Sequence, residues 1–184
     1  MFYIDSAKHE NRYLSFDFFF FTILTSFGQD NYPIPPKSEN RLFYIQHSNN
    51  HNTFVYDAIF SGSNFDLKKP VNSYRIVYTD GGVKKPLTEI QKKMAYGLDI
   101  KKTGNNIFEM YLAVSKDVKL VLFLNEKGQP KVWTIINNKK IILSRIFVQI
   151  KKGSSSLKPD VENVIFEGTD FTSGSKLNLV KKMK

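Results

Sequence analysis

Residues Phe43–Ala58 read "FYIQHSNNHNTFVYDA", and this stretch decides the fold class. Two runs of aromatic and β-branched residues flank the polar segment "SNNHN". Apolar runs of this composition favour strands, and an asparagine-rich break between them is typical of a hairpin turn. We therefore predict strands over Arg41–His47 and Thr53–Phe60, joined by a loop of about five residues.

The rest of the chain continues this pattern of short strands and turns. In "FEMYLAV", Phe108–Val114, apolar residues alternate with others at a period of two, as on a half-buried strand. We expect about eight to ten strands in all, with a bulge at Ser144 or Arg145 in a long strand over Ile141–Lys151. The predicted fold is mainly β (nominally α+β), an antiparallel meander closed as a barrel or a sandwich.

One short helix should interrupt the strands at "LTEIQKKMAYG", residues 87–97. Thr88 and Gln91 have the spacing of a capping box, in which each side chain bonds the other residue's backbone N–H. We predict about two turns that lay Leu87, Ile90 and Met94 on the sheet, ended by Gly97 in a left-handed conformation.

The N-terminal segment indicates export. The apolar run from Phe18 to Phe27 is about ten residues long, too short to span a bilayer, and Ser26 and Gly28 fit a signal-peptide cleavage site. A buried strand or helix is the alternative. We predict a signal peptide at 1–28, an extended proline-rich lead-in at 29–40 and a single β domain at 41–184. The destination would be the periplasm, the cell envelope or the medium, without a transmembrane segment.

Charge and composition limit the function. Lys and Arg number 27 against 17 Asp and Glu, giving a formal charge of +10, which favours anionic partners. The absence of cysteine excludes disulfides, thiol catalysis and Cys-bound zinc. No hydrolase, metalloprotease, P-loop or dinucleotide motif is present, and no nucleic-acid fold motif either. We expect no cofactor and no nucleic-acid partner.

The polar residues of the hairpin allow two interpretations. His47 and His51 could bind a metal but have no clear third ligand, so exposed turn residues are the simpler account. The asparagines could likewise serve the turn alone or bond a polar ligand that lies on aromatic faces. The candidate ligand-binding residues are Tyr44, Gln46, Asn50, Asn52, Tyr56, Arg75 and Tyr96; no catalytic or metal residue is assigned.

Seven lysine doublets recur along the chain. Neighbours on a strand point to opposite faces, so the doublets should lie at strand ends and turns, where they keep sheet edges solvated. A functional interpretation is electrostatic attachment to anionic lipid or glycan. The doublets are Lys68-Lys69, Lys84-Lys85, Lys92-Lys93, Lys101-Lys102, Lys139-Lys140, Lys151-Lys152 and Lys181-Lys182.

Three stretches, "RLFYIQHSNNHNTFVYDAIF", "PVNSYRIVYTDGG" and "LTEIQKKMAYGL", resemble a family of exported bacterial (Bacteroidota-type) proteins catalogued as a domain of unknown function. The resemblance covers roughly residues 40 to 180 and implies an envelope-associated, mainly β domain without a known activity. His47 stands where the family pattern has Arg. The matching residues are Gln46, Ser48, Asn50, Asn52, Tyr56, Asp57, Pro70, Val71, Ala95, Tyr96 and Gly97.

Three function hypotheses follow. The leading one is an exported basic β domain that binds a polar or anionic ligand in the cell envelope: a glycan, a phosphorylated headgroup or a lipid surface. The second is an envelope hydrolase or isomerase that uses His47 and Asp57. The third is a structural envelope-interaction protein without a ligand. The sequence does not indicate an oligomeric state.

Overall fold

The structure is a computed structural model that describes residues 32–155 and 159–183. The predicted signal peptide and the first residues of the lead-in lie outside the described residues. The first strands are β1 (Arg41–His47), β2 (Asn50–Ala58), β3 (Phe60–Ser61), β4 (Asn64–Phe65), β5 (Val71–Val77), β6 (Val83–Pro86) and β7 (Leu98–Gly104). Then follow β8 (Ile107–Leu112), β9 (Ser115–Leu124), β10 (Pro130–Ile136), β11 (Lys139–Ile150), β12 (Val161–Asp170) and β13 (Lys176–Lys182).

Eleven strands form one hydrogen-bonded sheet in the order β6-β5-β2-β1-β11-β10-β9-β8-β7, with β12 added to β11 and β13 to β12. The nine-strand path curls into a half-barrel. The predicted class, mainly β with one short helix, is confirmed. Within the described ranges, no helix is long and apolar enough to cross a membrane.

The opening hairpin is tighter than predicted. Strand β2 already begins at Asn50, which pairs with His47, so the turn between the strands is Ser48-Asn49 and not a loop of about five residues. The asparagine side chains bond within this segment: Asn50 Nδ2 donates to Asn49 Oδ1, and Asn50 Oδ1 accepts from the Asn52 backbone N–H, both at 2.9 Å.

Strand β11 joins the two parts of the sheet. Its first residues, Lys139–Ile142, pair antiparallel with β10, and residues 145–148 pair parallel with β1. The other edge of β11 pairs with β12 along nearly its whole length. A parallel pair is not part of an antiparallel meander, so the sheet departs from the predicted meander where β1 pairs with β11.

The register of β11 shifts between Leu143 and Arg145, which confirms the bulge predicted at Ser144 or Arg145. The Ser144 hydroxyl donates to the Glu167 carbonyl at 2.9 Å. Gly168 faces this point, and a Cβ there would lie 1.9 Å from the Ile142 carbonyl oxygen. Glycine is therefore required for β12 to approach the bulge.

The core lies between the curled parts of the sheet. Tyr56 is fully buried on β2, and its ring stacks on Phe43 of β1 at a centroid distance of 4.5 Å. These two residues are cross-strand partners, so the aromatic contact and the strand register support each other. The core also includes Met110, Leu120, Leu122, Val132, Ile141 and Phe166.

The helix α1 (Glu89–Gln91) begins with the predicted capping box and continues as a π-helical turn, Lys92–Tyr96. Leu87 is buried as expected, but Ile90 and Met94 are exposed, so the prediction that all three lie on the sheet is wrong for two of them. The predicted left-handed Gly97 is also wrong, since its φ is −65°.

We expect Phe43→Ala to lower the free energy of unfolding by about 3–5 kcal/mol, because it opens a cavity beside the Tyr56 ring. Urea denaturation monitored by circular dichroism measures this loss. The matched control is Ile135→Ala, whose side chain is 55% exposed and which should change stability by less than about 0.5 kcal/mol. Equal losses for the two variants would contradict this account of the core.

Candidate functional site

The predicted ligand-binding residues do not form one surface. Successive side chains of a strand point to opposite faces of the sheet, and in β1 and β2 both faces are covered. Tyr56 and Tyr96 meet on the inner face, toward the core. Tyr44 and Gln46 lie on the outer face, where the lead-in covers β1.

On the inner face, the aromatic residues hold the helix end against the sheet. The Tyr56 hydroxyl donates to the Tyr96 carbonyl at 2.8 Å, and the Tyr96 ring stacks on Phe54 at 3.5 Å. Burial raises the pKa of Tyr56 well above its usual range and the pKa of Tyr96 to about 12. Both phenols therefore stay protonated at neutral pH and act in packing.

His47 lies beside this aromatic stack. Its ring is tilted against Phe54 and Tyr96, and the Tyr96 hydroxyl lies 3.4 Å from both ring nitrogens. Burial lowers the pKa of His47 to about 4, so the imidazole is neutral near pH 7. A neutral ring in this position contributes no fixed charge for an anionic ligand.

Two polar residues of the prediction keep unpaired atoms. Arg75 faces Phe54 across the β2–β5 pair, and its Nε is buried without a hydrogen-bond partner among the described residues. Asn52 Oδ1 is also buried without a hydrogen-bond partner among the described residues. Asn50 Nδ2 donates to Asn49 Oδ1 at 2.9 Å, so Asn50 serves the turn.

On the outer face, Gln46 fastens the lead-in to the sheet. Its buried amide Nε2 donates to the Pro33 carbonyl and to Thr53 Oγ1, both at 2.8 Å. Tyr32 extends this contact, because its hydroxyl donates to the Ser48 carbonyl at 3.0 Å and its ring stacks on His51. Gln46 therefore joins the lead-in to β1 and β2, and burial raises the pKa of Tyr44 on the same face.

His47 and Asp57, the pair of the enzyme hypothesis, are separated by the sheet. His47 contacts the inner-face ring of Phe54, whereas Asp57 points outward. Asp57 Oδ1 accepts from Arg41 Nε at 2.5 Å and Oδ2 from the Tyr74 hydroxyl at 2.9 Å. In the part of the chain that the structure describes, no three His, Asp or Glu side chains come close enough to hold a metal.

A groove of about 1030 Å³ lies elsewhere, between the helix, the loop before β5 and strands β7 and β8. We call it the lysine groove. Its apolar lining includes Val71, Leu98, Ile100 and Phe108. Six lysines line it, against the two carboxylates of Glu89 and Asp99: Lys68, Lys69, Lys92, Lys93, Lys102 and Lys116.

Local structure fixes the walls of the lysine groove. Asp66 Oδ1 accepts from the backbone N–H groups of Lys68 and Lys69 at 2.8 and 2.7 Å, which turns the chain there. Gly97 closes the helix end: its N–H donates to the Lys92 carbonyl at 3.0 Å, and a Cβ would lie 2.2 Å from that oxygen. A side chain at Gly97 would therefore push the helix end out of place.

The sequence contained a signal for this groove in the lysine doublets. Both lysines of Lys68-Lys69 and of Lys92-Lys93 line the groove. Of a third doublet, Lys101-Lys102, only Lys102 does so. The turn and helix placement of these doublets was predicted, but their convergence depends on the path of the chain between β4 and β8. The other doublets, such as Lys151-Lys152, do not line the groove.

The depressed pKa of His47 predicts a loss of stability in acid. The folded pKa of about 4 lies below the usual 6.5, so the unfolded chain binds the proton first. The contribution of neutral His47 to the free energy of unfolding is complete above pH 6.5 and is lost as the pH falls toward 4. This contribution to the free energy of unfolding is about 3 kcal/mol.

We expect His47→Gln to remove this part of the pH dependence. Urea unfolding gives the free energy of unfolding of parent and variant at about pH 7 and at about pH 4.5. The fall between the two pH values should be larger for the parent than for His47→Gln. His51→Gln is the control and should follow the parent, since His51 is exposed. A parallel fall in parent and His47→Gln would contradict the assignment.

The comparisons with known proteins place this β domain in a family. The chain matches no curated protein and no solved structure. Residues 43–178, well over half of the chain, match a family described as a domain of unknown function. This range begins in β1 and ends in β13, so it includes the parallel β1–β11 pair and the lysine groove. The chain belongs to the family DUF4833.

Proposed function

We propose that this chain is an exported, basic β domain that binds an anionic ligand of the cell envelope in the lysine groove. The observation that carries this proposal is the gathering of six lysines around one groove with two carboxylates. The site differs from the hairpin residues that the sequence suggested, although the ligand class is the same.

The charges of the groove are poorly balanced within the protein. Lys92 pairs with Glu89 at 2.7 Å. Among the described residues, the other five lysines of the groove have no carboxylate within salt-bridge distance. Like charges held near one another repel, and their summed field attracts an anion to the groove. An anion that enters the groove relieves this repulsion.

The lining favours a phosphorylated headgroup over a neutral glycan. A neutral sugar is usually held by an exposed aromatic face and by side-chain amides. Among the described residues that line the groove, Phe108 is the only aromatic and its side chain is buried, and no Asn or Gln contributes. Ammonium groups above an apolar lining suit a phosphate attached to an apolar moiety.

Export is part of the proposal and depends on the N-terminal sequence. The apolar run at 18–27 and the small residues Ser26 and Gly28 support a cleaved signal peptide. Identification of the mature N-terminus from fractionated cells tests this point, and an intact Met1 would overturn it.

We expect the soluble anion tripolyphosphate to bind the protein in a salt-dependent manner, measured by isothermal titration calorimetry at low and high ionic strength. The double variant Lys68→Glu/Lys69→Glu should weaken binding by at least about tenfold, because it reverses two charges at the groove. Both side chains are exposed, so the fold should persist.

The matched control is Lys151→Glu/Lys152→Glu, which makes the same change in net charge at a doublet outside the groove. It should change the affinity by less than about threefold. Equal losses for the two double variants would mean that only the net charge matters. Absence of binding by the parent would favour the structural role without a ligand.

A further inference from the structure

Four large apolar side chains beside the lysine groove are exposed to solvent. Leu67 is 66% exposed, Ile90 75%, Met94 68% and Val114 67%. We call these four residues the apolar rim. Single exposed apolar residues are common on protein surfaces, but a group of four beside one groove indicates a contact surface.

The apolar rim follows the edge of the groove. Leu67 and Ile90 line it directly, and Met94 follows Ile90 by one helical turn. Val114 lies beside the helix end, because its N–H donates to the Ala95 carbonyl at 3.3 Å. The rim therefore combines the helix, the loop before β5 and the β8–β9 turn.

Apolar and cationic residues alternate along each of these segments. Leu67 precedes Lys68-Lys69, Ile90 and Met94 flank Lys92-Lys93, and Val114 precedes Lys116 by two positions. At a bilayer surface, apolar side chains enter the boundary between headgroups and acyl chains, while lysine ammonium groups extend back to the phosphates.

We propose that the apolar rim and the lysine groove together dock on an anionic phospholipid bilayer, with the rim inserted at the interface and a lipid phosphate in the groove. This inference rests on the proposed function. A protein partner fits less well, since the buried parts of protein interfaces are poor in lysine and rich in aromatic residues. The rim contains no aromatic residue and accompanies six lysines.

The absence of cysteine allows a direct test with single labels on the full chain. Ile90→Cys and Met94→Cys would each carry an environment-sensitive fluorophore. With vesicles of equal parts phosphatidylglycerol and phosphatidylcholine, we expect a blue shift and quenching by lipids with a nitroxide near the acyl carbonyl. Vesicles of phosphatidylcholine alone should give little change.

The control label is Ile135→Cys, since Ile135 is also exposed but does not line the groove. Its emission should not change with either vesicle. If the protein sediments with the anionic vesicles while the labels at 90 and 94 report water, insertion of the rim is overturned.

A second measurement separates this inference from the proposed function. Met94→Ser/Val114→Ser changes two rim residues that do not line the groove, and it should weaken vesicle binding by about tenfold or more and leave tripolyphosphate binding unchanged. Lys68→Glu/Lys69→Glu should weaken both, since each lysine near an anionic surface contributes about a fivefold factor. If the protein binds tripolyphosphate but not vesicles, the bilayer inference is wrong and the proposed anion site is retained. If it binds neither, both the bilayer inference and the proposed anion site are wrong.

Discussion

Strand β11 has to serve two neighbours along one edge, and the rest of the structure depends on this constraint. Its first residues bond β10 and its later residues bond β1, so the backbone must change direction between Leu143 and Arg145. Gly168 permits the change by leaving room for the Ile142 carbonyl. Because β1 adds to β11 in parallel, the hairpin at the start of the domain depends on a strand about a hundred residues later.

Strands β1 and β2 are covered on both faces. A hairpin with one solvated face would leave alternate polar side chains free for a ligand. Here Tyr56 contributes to the core, while Gln46 bonds the lead-in. Gln46 and Tyr56, which look like parts of a binding site in the sequence, join elements instead, because buried polar atoms need internal partners.

Local patterns predicted the local structure well. Alternation predicted a strand over Phe108–Val114, which the structure has as Ile107–Leu112, and the spacing of Thr88 and Gln91 predicted the capping box. Strands β4, β6 and β7 were not predicted; "NF" and "VKKP" have no alternating apolar pattern, and β7 lies at the edge of the sheet and pairs with β8. The division of the predicted site between two faces could not be read from spacing, because it depends on which elements cover each face.

The helix shows most directly how a wrong prediction can indicate function. Its period places Leu87, Ile90 and Met94 in one apolar set, and an ordinary core helix would bury all three. Leu87 precedes the N-cap Thr88 and is buried, whereas Ile90 in α1 and Met94 in the π-helical turn are exposed. Hydration of Ile90 and Met94 costs free energy that burial against the sheet would have recovered. Their exposure next to Lys92 and Lys93 is what a surface that meets an anionic, partly apolar phase requires.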